Sequence, residues 1–205
     1  MTNKTAVVTG SSSGIGKEIV LQLLGKNYKV FANSLPVSGK SGTLRNFCRG
    51  TVASGRVKAK SGTLLHATNC SIGVNLFFKL NQQLARLMNN QNEYNVRMEE
   101  THHTQKLDAP SGTAITLAEG IIAENESINK WKKGDNPTKN ELPIVSHRIE
   151  NVPGTHQISY TSAIDEITIK HTAHNRKGFA LGAVIAAEFI KNKKGIFTME
   201  DVLSK

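Results

Sequence analysis

The sequence predicts an α/β fragment at the N-terminus followed by an α+β domain with a mixed sheet, and three observations carry that reading. Residues 5–33 run strand, glycine turn, helix, strand. Residues 67–205 mix helical apolar spacing with strands that alternate apolar and polar side chains. Charge changes abruptly between them: residues 1–66 hold ten Lys or Arg against one acid, Glu18, a net of +9, whereas residues 67–205 hold 16 basic and 15 acidic side chains, a net of +1. Such a step marks two parts with different histories or tasks and divides the chain into 1–66 and 67–205.

The first element is the β-branched run Thr5-Ala-Val-Val-Thr9, a short buried strand. Gly10 to Gly16 form a turn, and Ile15, Ile19, Val20, Leu23 and Leu24 fall at helical spacing until Gly25. A second strand over residues 28–31 completes a unit whose strands should be parallel through a right-handed crossover. Residues 34–66 contain five glycines and the near-repeat Lys40-Ser-Gly-Thr-Leu44 and Lys60-Ser-Gly-Thr-Leu64, with no helical pattern. Two copies are too few for a solenoid.

Beyond the charge step, Ser71 caps an expected helix to Met88 with Ile72, Leu76, Leu80, Leu84 and Leu87 on one face. Residues 94–100 alternate as a strand, 112–123 suit a helix, and 124–141 suit a loop rich in Asn, Lys, Gly and Pro. Strands are expected at 144–149, 156–160 and 166–171, then a small-residue helix at 179–191 and a closing element at 197–203.

Composition narrows the function classes. With 205 residues, 38% apolar and 20% charged, the chain suits a folded globular protein and excludes collagen-like, disordered and disulfide-scaffold classes. No apolar run approaches the roughly 18 residues of a membrane span, and no secretory signal pattern opens the chain, so a cytoplasmic location is expected. Cys48 and Cys70 lack metal or disulfide spacing and read as free thiols. The basic first third raises nucleic acid as a partner, but aromatics are scarce there and no basic helix motif appears, so a solvated basic face is the simpler reading.

Thr9-Gly-Ser-Ser-Ser-Gly-Ile-Gly16 places Gly10, Gly14 and Gly16 between a strand and a helix. Glycines there allow close approach of backbone to a pyrophosphate, whose charge is met by the helix N-terminus. A P-loop is the nearest rival but is missed twice, because Glu18 stands where the magnesium-binding hydroxyl is needed and Gly39-Lys40-Ser41 lacks its upstream glycine. The segment from Lys4 to Asn33 resembles the start of a short-chain dehydrogenase/reductase, a Rossmann-like fragment, and the resemblance implies dinucleotide binding through Gly10, Gly14, Ile15 and Gly16. That family's Tyr-x-x-x-Lys pair is absent, so its chemistry does not carry over. The second strand ends at Asn33 without the acid that bonds the ribose, which leaves NADH and NADPH both open. Residues 35–64, from Leu-Pro-Val-Ser-Gly to Lys60-Ser61-Gly62-Thr63, are similar to part of a D-alanyl-D-alanine carboxypeptidase. The nucleophile motif that should precede them is missing, so a hydrolase is disfavoured.

The most informative stretch is Glu99-Glu-Thr-His102-His103-Thr-Gln-Lys106-Leu-Asp108-Ala-Pro-Ser111-Gly112-Thr113. It joins a proton donor, cations and a helix start in one loop, a set suited to a substrate bearing carboxylates. Two alternatives stand beside this: a pair of solvated loop histidines, and a metal site, disfavoured because adjacent histidines point apart and no third ligand has the usual spacing.

This segment resembles the signature of dihydrodipicolinate reductase. Asn69-Cys-Ser-Ile-Gly-Val-Asn75, Pro153-Gly-Thr-His156, Ile169-Lys-His-Thr-Ala-His-Asn-Arg176 and Gly178-Phe-Ala-Leu-Gly182 follow in that family's order. The resemblance implies NADH- or NADPH-dependent reduction of 4-hydroxy-tetrahydrodipicolinate in diaminopimelate and lysine synthesis. It makes residues 67–205 a substrate-binding and tetramer-forming domain. It implies His102 as general acid, Lys106 as proton donor and carboxylate partner, and His103, Gly112, Thr113 and Arg176 as substrate contacts. Ala67 and Cys70 would lie by the nicotinamide, and Cys70 departs from the family's usual Phe. A dinucleotide-binding domain of two βαβαβ halves needs on the order of 120 residues, so residues 1–66 read as a truncated, composite region. The competing expectation is a non-catalytic dicarboxylate-binding module without a working cofactor half.

Overall fold

The computed structural model describes residues 63–204, the backbone of strands β1 (Lys4–Thr9) and β2 (Tyr28–Asn33), and the positions Ile19, Gln22 and Lys26. The glycine turn with Gly10, Gly14, Ile15 and Gly16 lies outside the described residues, as does nearly all of the carboxypeptidase-like segment. The chain divides into two compact units, one of residues 73–175 and one of residues 1–72 with 176–205.

The unit of residues 73–175 is built on a five-stranded mixed sheet. Its strands are β4 (Asn95–His102), β5 (Lys130–Lys133), β6 (Glu141–Arg148), β7 (Gly154–Thr161) and β8 (Glu166–Ala173), in the order β5-β6-β4-β7-β8. β6 runs parallel to β4 and β5, while β7 is antiparallel to β4 and β8. Helix α1 (Ile72–Met88) begins at the unit's edge, and α2 (Gly112–Ile122) buries Ala114, Leu117, Ala118 and Ile121 at helical spacing. Those residues meet Phe77, Ala85, Met88, Met98, Leu142, Ile144, Ile158 and Tyr160 in one apolar core.

Two expectations are corrected here. The buried face of α1 is Val74, Phe77, Asn81, Ala85 and Met88, whereas Leu76, Leu80 and Leu87 are exposed. Both stripes have helical spacing; the inward one carries Phe77 and Met88, and Asn81 Nδ2 donates to the Leu117 carbonyl at 2.9 Å, tying α1 to α2. The expected loop at 124–141 contains strand β5. Its Lys-Trp-Lys-Lys sequence hides the alternation because a single inward side chain, Trp131, packs on the core. Lysines on this edge suit a strand facing water, and Glu141 pairs with Lys130 at 3.1 Å and Lys132 at 3.5 Å.

The other unit contains the parallel pair β1 and β2, in register from Lys4 opposite Tyr28 to Thr9 opposite Asn33, as the strand-turn-helix-strand reading requires. It also contains β3 (Thr63–Leu65) paired in parallel with β9 (Gly195–Phe197). Helices α3 (Lys177–Phe189) and α4 (Met199–Leu203) pack with them, and Ala186, Met199 and Val202 form a small core joined by Leu65, Cys70, Ile185 and Phe189. Asp201 Oδ2 caps α4 by accepting from Thr198 N at 2.7 Å. Gly182 is required by close approach, since a Cβ there would stand 1.8 Å from the Cys70 carbonyl oxygen. No helix among the described residues is long and apolar enough to cross a membrane.

Candidate functional site

Strand β4 alternates, so Met98, Glu100 and His102 share one buried face. Sheet register then assembles the site from three strands. Glu100 lies opposite Ser146 of β6 and His156 of β7, and His102 lies opposite Arg148 of β6. Ser111 at the N-cap of α2 closes the cluster from above the sheet, its Oγ accepting from Ala114 N at 3.1 Å.

Glu100 is the hub. Its side chain is fully buried, and burying a carboxylate is tolerated only when its oxygens are satisfied. Ser111 N donates to both oxygens at 3.0 and 3.1 Å, Ser146 Oγ at 2.8 Å and an Arg148 guanidinium nitrogen at 3.3 Å. His102 Nδ1 and His156 Nε2 stand 3.4 and 3.7 Å from Oε2, and His156 Nε2 also meets Ser111 Oγ at 3.2 Å. Burial alone would raise the carboxyl's pKa; the partners His156, Ser111 and Ser146, with His102 beside them, outweigh it and hold the group well below the ordinary carboxylate range.

His102 responds in the opposite sense. Burial, then His156, with Lys106 and Arg148 adding to them, overcome the upward pull of Glu100 and lower its pKa to about 4. At neutral pH its imidazole is uncharged. The rings of His102 and His156 meet edge to face with centroids 5.1 Å apart. Nδ1 of His102 is buried without a hydrogen bond, while Nε2 faces Gly154, where a Cβ would stand 3.1 Å away.

Lys106 and Asp108 form an ion pair at 2.7 Å in the loop between β4 and α2. Arg148 braces that loop by donating to the carbonyls of Lys106 at 3.2 Å and Asp108 at 2.6 Å. Gly112 and Thr113 open α2, and a Cβ on Gly112 would meet nothing within 4 Å. The sequence-derived residues His102, His103, Lys106, Gly112 and Thr113 thus share one end of β4, its loop and the start of α2. Arg176 belongs to the other unit, where it is the N-cap of α3. Ala67 is exposed and Cys70 half-buried in that same unit.

Sequence reasoning missed Glu100, Ser146, Arg148 and His156 as site residues. The signal for Glu100 was present, because period-two alternation puts it on the face of His102. The partners from β6 and β7 required the sheet order. Glu100, His102 and His156 offer ligand atoms within 4.8 Å of one another, so a third metal-capable residue exists where local spacing supplied none. A cation there would sit beside the Arg148 guanidinium, which with Ser111 N and Ser146 Oγ already donates to Oε1 of the same carboxylate, while Ser111 N also donates to Oε2. The donor set therefore favours a hydrogen-bonded hub over a metal centre.

Together, the five-stranded mixed sheet and the helix that starts beside it form an α+β unit with a buried charged cluster at one end of the sheet. Residues 73–203 match the family described as dihydrodipicolinate reductase, C-terminus, and the chain belongs to that family. It is 50% identical over 175 residues to the 4-hydroxy-tetrahydrodipicolinate reductase of Christiangramia forsetii, covering 85% of this chain and 72% of that protein. It is 35% identical to the enzyme of the same name from Alkaliphilus metalliredigens, covering 71% of this chain and 62% of the relative. For the namesake from Rickettsia bellii the identity is 39%, with 70% of this chain and 57% of the relative covered. The chain thus spans less than two thirds of the length of these last two. A dipicolinate-bound dihydrodipicolinate reductase from a Paenisporosarcina species has the same fold, with a TM-score of 0.61 at 19% identity over 99% of this chain and 100% of that one. Residues 20–100 also match the D-Ala-D-Ala carboxypeptidase 3 (S13) family. That span ends in α1 and β4, which are parts of the reductase-type unit.

Proposed function

We propose that the chain reduces 4-hydroxy-tetrahydrodipicolinate with NADH or NADPH, the reaction named for its relatives, in the cytoplasmic synthesis of diaminopimelate and lysine. The observation that carries this reading is the convergence of His102, Lys106 and the start of α2 over the buried Glu100 hub. A ring with two carboxylates needs cations and backbone amides to hold it, and Lys106, His103, Gly112 and Thr113 supply them. Arg176 is kept as a proposed substrate contact on the family resemblance alone. Asp108 now pairs with Lys106; a substrate carboxylate takes that partner's place.

His102 is the proton donor in this reading. It is neutral at rest, and a dianionic ring beside it favours the imidazolium, so substrate arrival loads the proton where it is needed. The parallel register of β1 and β2 fits a dinucleotide half, because Thr9 and Asn33 end side by side at the strands' carboxyl edge, where such ligands bind. Gly10, Gly14, Ile15 and Gly16 would hold the pyrophosphate there, with Ala67 and Cys70 toward the nicotinamide. When bound, the reduced nicotinamide supplies the hydride.

The assembly is proposed to be a homotetramer. Support comes from the exposed Leu76, Leu80 and Leu87 stripe of α1 and from exposed Ile164 and Ile167 near and on edge strand β8. The test of function is consumption of NADH or NADPH by the full chain given 4-hydroxy-tetrahydrodipicolinate. Turnover is expected; binding of dipicolinate without turnover would favour the non-catalytic module instead.

A further inference from the structure

We infer that Glu100 is a positioning residue for His102, holding Nδ1 on the carboxylate side so that Nε2 is the nitrogen left to exchange the reacting proton. The inference rests on the proposed role of His102 and deepens it. Three observations support it independently of the relatives.

First, Glu100 is fixed before His102 engages it. Four donor contacts from Ser111, Ser146 and Arg148 hold the carboxylate from α2 and β6, so its position is set by the fold. Second, His102 Nδ1 is buried without a hydrogen bond, and Glu100 Oε2 stands 3.4 Å from it. A proton on Nδ1 finds an acceptor after a shift of a few tenths of an ångström, whereas a lone pair there would face a carboxylate. The Nδ1–H tautomer follows, with Nε2 left to receive and deliver the reacting proton. Third, Nε2 lies against Gly154 on β7, so close that a Cβ there would stand only 3.1 Å from it, and this packing holds the ring with Nδ1 toward the carboxylate. Nδ1 therefore meets fixed charge and Nε2 meets only the glycine.

Ser111 adds a consequence. The backbone N–H that binds Glu100 belongs to the N-cap of α2, the helix whose first residues are Gly112 and Thr113. One carboxylate thus sets both the proton donor's direction and the start of the helix proposed to hold substrate carboxylate. The charged and titratable groups facing His102 are Glu100 on its own strand, His156 from β7, Arg148 from β6 and Lys106 from the following loop. Glu100 alone among these pulls toward the protonated ring.

The experiment compares the full chain with Glu100→Gln and Glu100→Asp. Long-range ¹H–¹⁵N spectra of the imidazoles at neutral pH report the tautomer without any need for activity. The wild type should show His102 as Nδ1–H, and Glu100→Gln should lose that preference. In kinetics, Glu100→Gln should lower kcat by roughly tenfold to a hundredfold, the usual weight of an outer partner that orients a functional side chain. Its pH profile should move to lower pH, because the one neighbour favouring imidazolium has lost its charge. Glu100→Asp keeps the charge, so kcat should fall while the profile stays in place; it carries the kinetic test if the Gln variant fails to fold. A wild-type Nε2–H tautomer, or a Gln variant with unchanged tautomer and pH profile, would overturn the inference. If no variant, including the wild type, turns over yet the tautomer responds as stated, the proposed reaction fails and the positioning role stands.

Discussion

The two compact units solve the problem of burial in opposite ways. Residues 73–175 enclose a large apolar core and, on the same sheet, a fully buried carboxylate satisfied from two strands and a helix start. Residues 176–204 and the described residues before 73 have a smaller core of Ala186, Met199 and Val202, and join by backbone proximity, with Gly182 against the Cys70 carbonyl. Charge runs against this contrast: most of the chain's excess, +9 of +10, lies in residues 1–66, outside the unit with the polar hub. The hub's function depends on which groups converge, and the total charge of the chain is no guide to it.

Changing one unit at a time sharpens the contrast. The largest effect on stability is expected from Leu117→Ala, which opens a cavity where α2 meets the sheet, at a cost of about 2–5 kcal/mol. Hydrogen exchange should show loosened amides across residues 73–175, and equal loosening of residues 176–204 would break the division into two units. Gly182→Ala should cost about 1–3 kcal/mol by overpacking rather than by a cavity. Its loosening should centre on residues 65–71 and 177–189, and a neutral effect would mean the Cys70 segment is free to retreat.

The smallest effect at neutral pH is the one that grows with acid. His102 takes up a proton near 6.5 when unfolded but only near 4 in the fold, so its contribution to stability is complete above about pH 6.5 and is lost as pH falls toward 4. Glu100, held below its ordinary 4.5, adds a further loss below that pH. Acid should therefore lower the melting temperature of the wild type from about pH 6.5 downward, and His102→Gln should make the upper part of that slope shallower, leaving the share of His171, whose imidazole burial also pushes down. An unchanged slope in the variant would contradict a buried neutral imidazole.

Much of the fold was legible from local pattern. The alternation of β4 and β8 and the start of α2 at Gly112 are visible in the sequence. Elements stay hidden in the sequence where two patterns compete or none is present. α1 carries two apolar stripes, and only the packing of Phe77 and the Asn81 amide bond chooses between them. β5 has one apolar residue among lysines, and the pairing of β3 with β9 joins segments about 130 residues apart. The candidate site divides in the same way. His102, His103, Lys106, Gly112 and Thr113 are contiguous and could be found in one stretch, whereas Ser146, Arg148 and His156 reach Glu100 only through sheet register.

The most direct measurement of the central claim is turnover of reduced nicotinamide with 4-hydroxy-tetrahydrodipicolinate by the full chain and by His102→Gln, with dinucleotide and dipicolinate affinities measured in parallel. A positioned proton donor contributes roughly 10²–10⁴ in rate. The variant is therefore expected to lose turnover on that scale while both affinities stay within a few fold. Wild-type turnover in the variant would show that the β4 site is not where the proton is delivered.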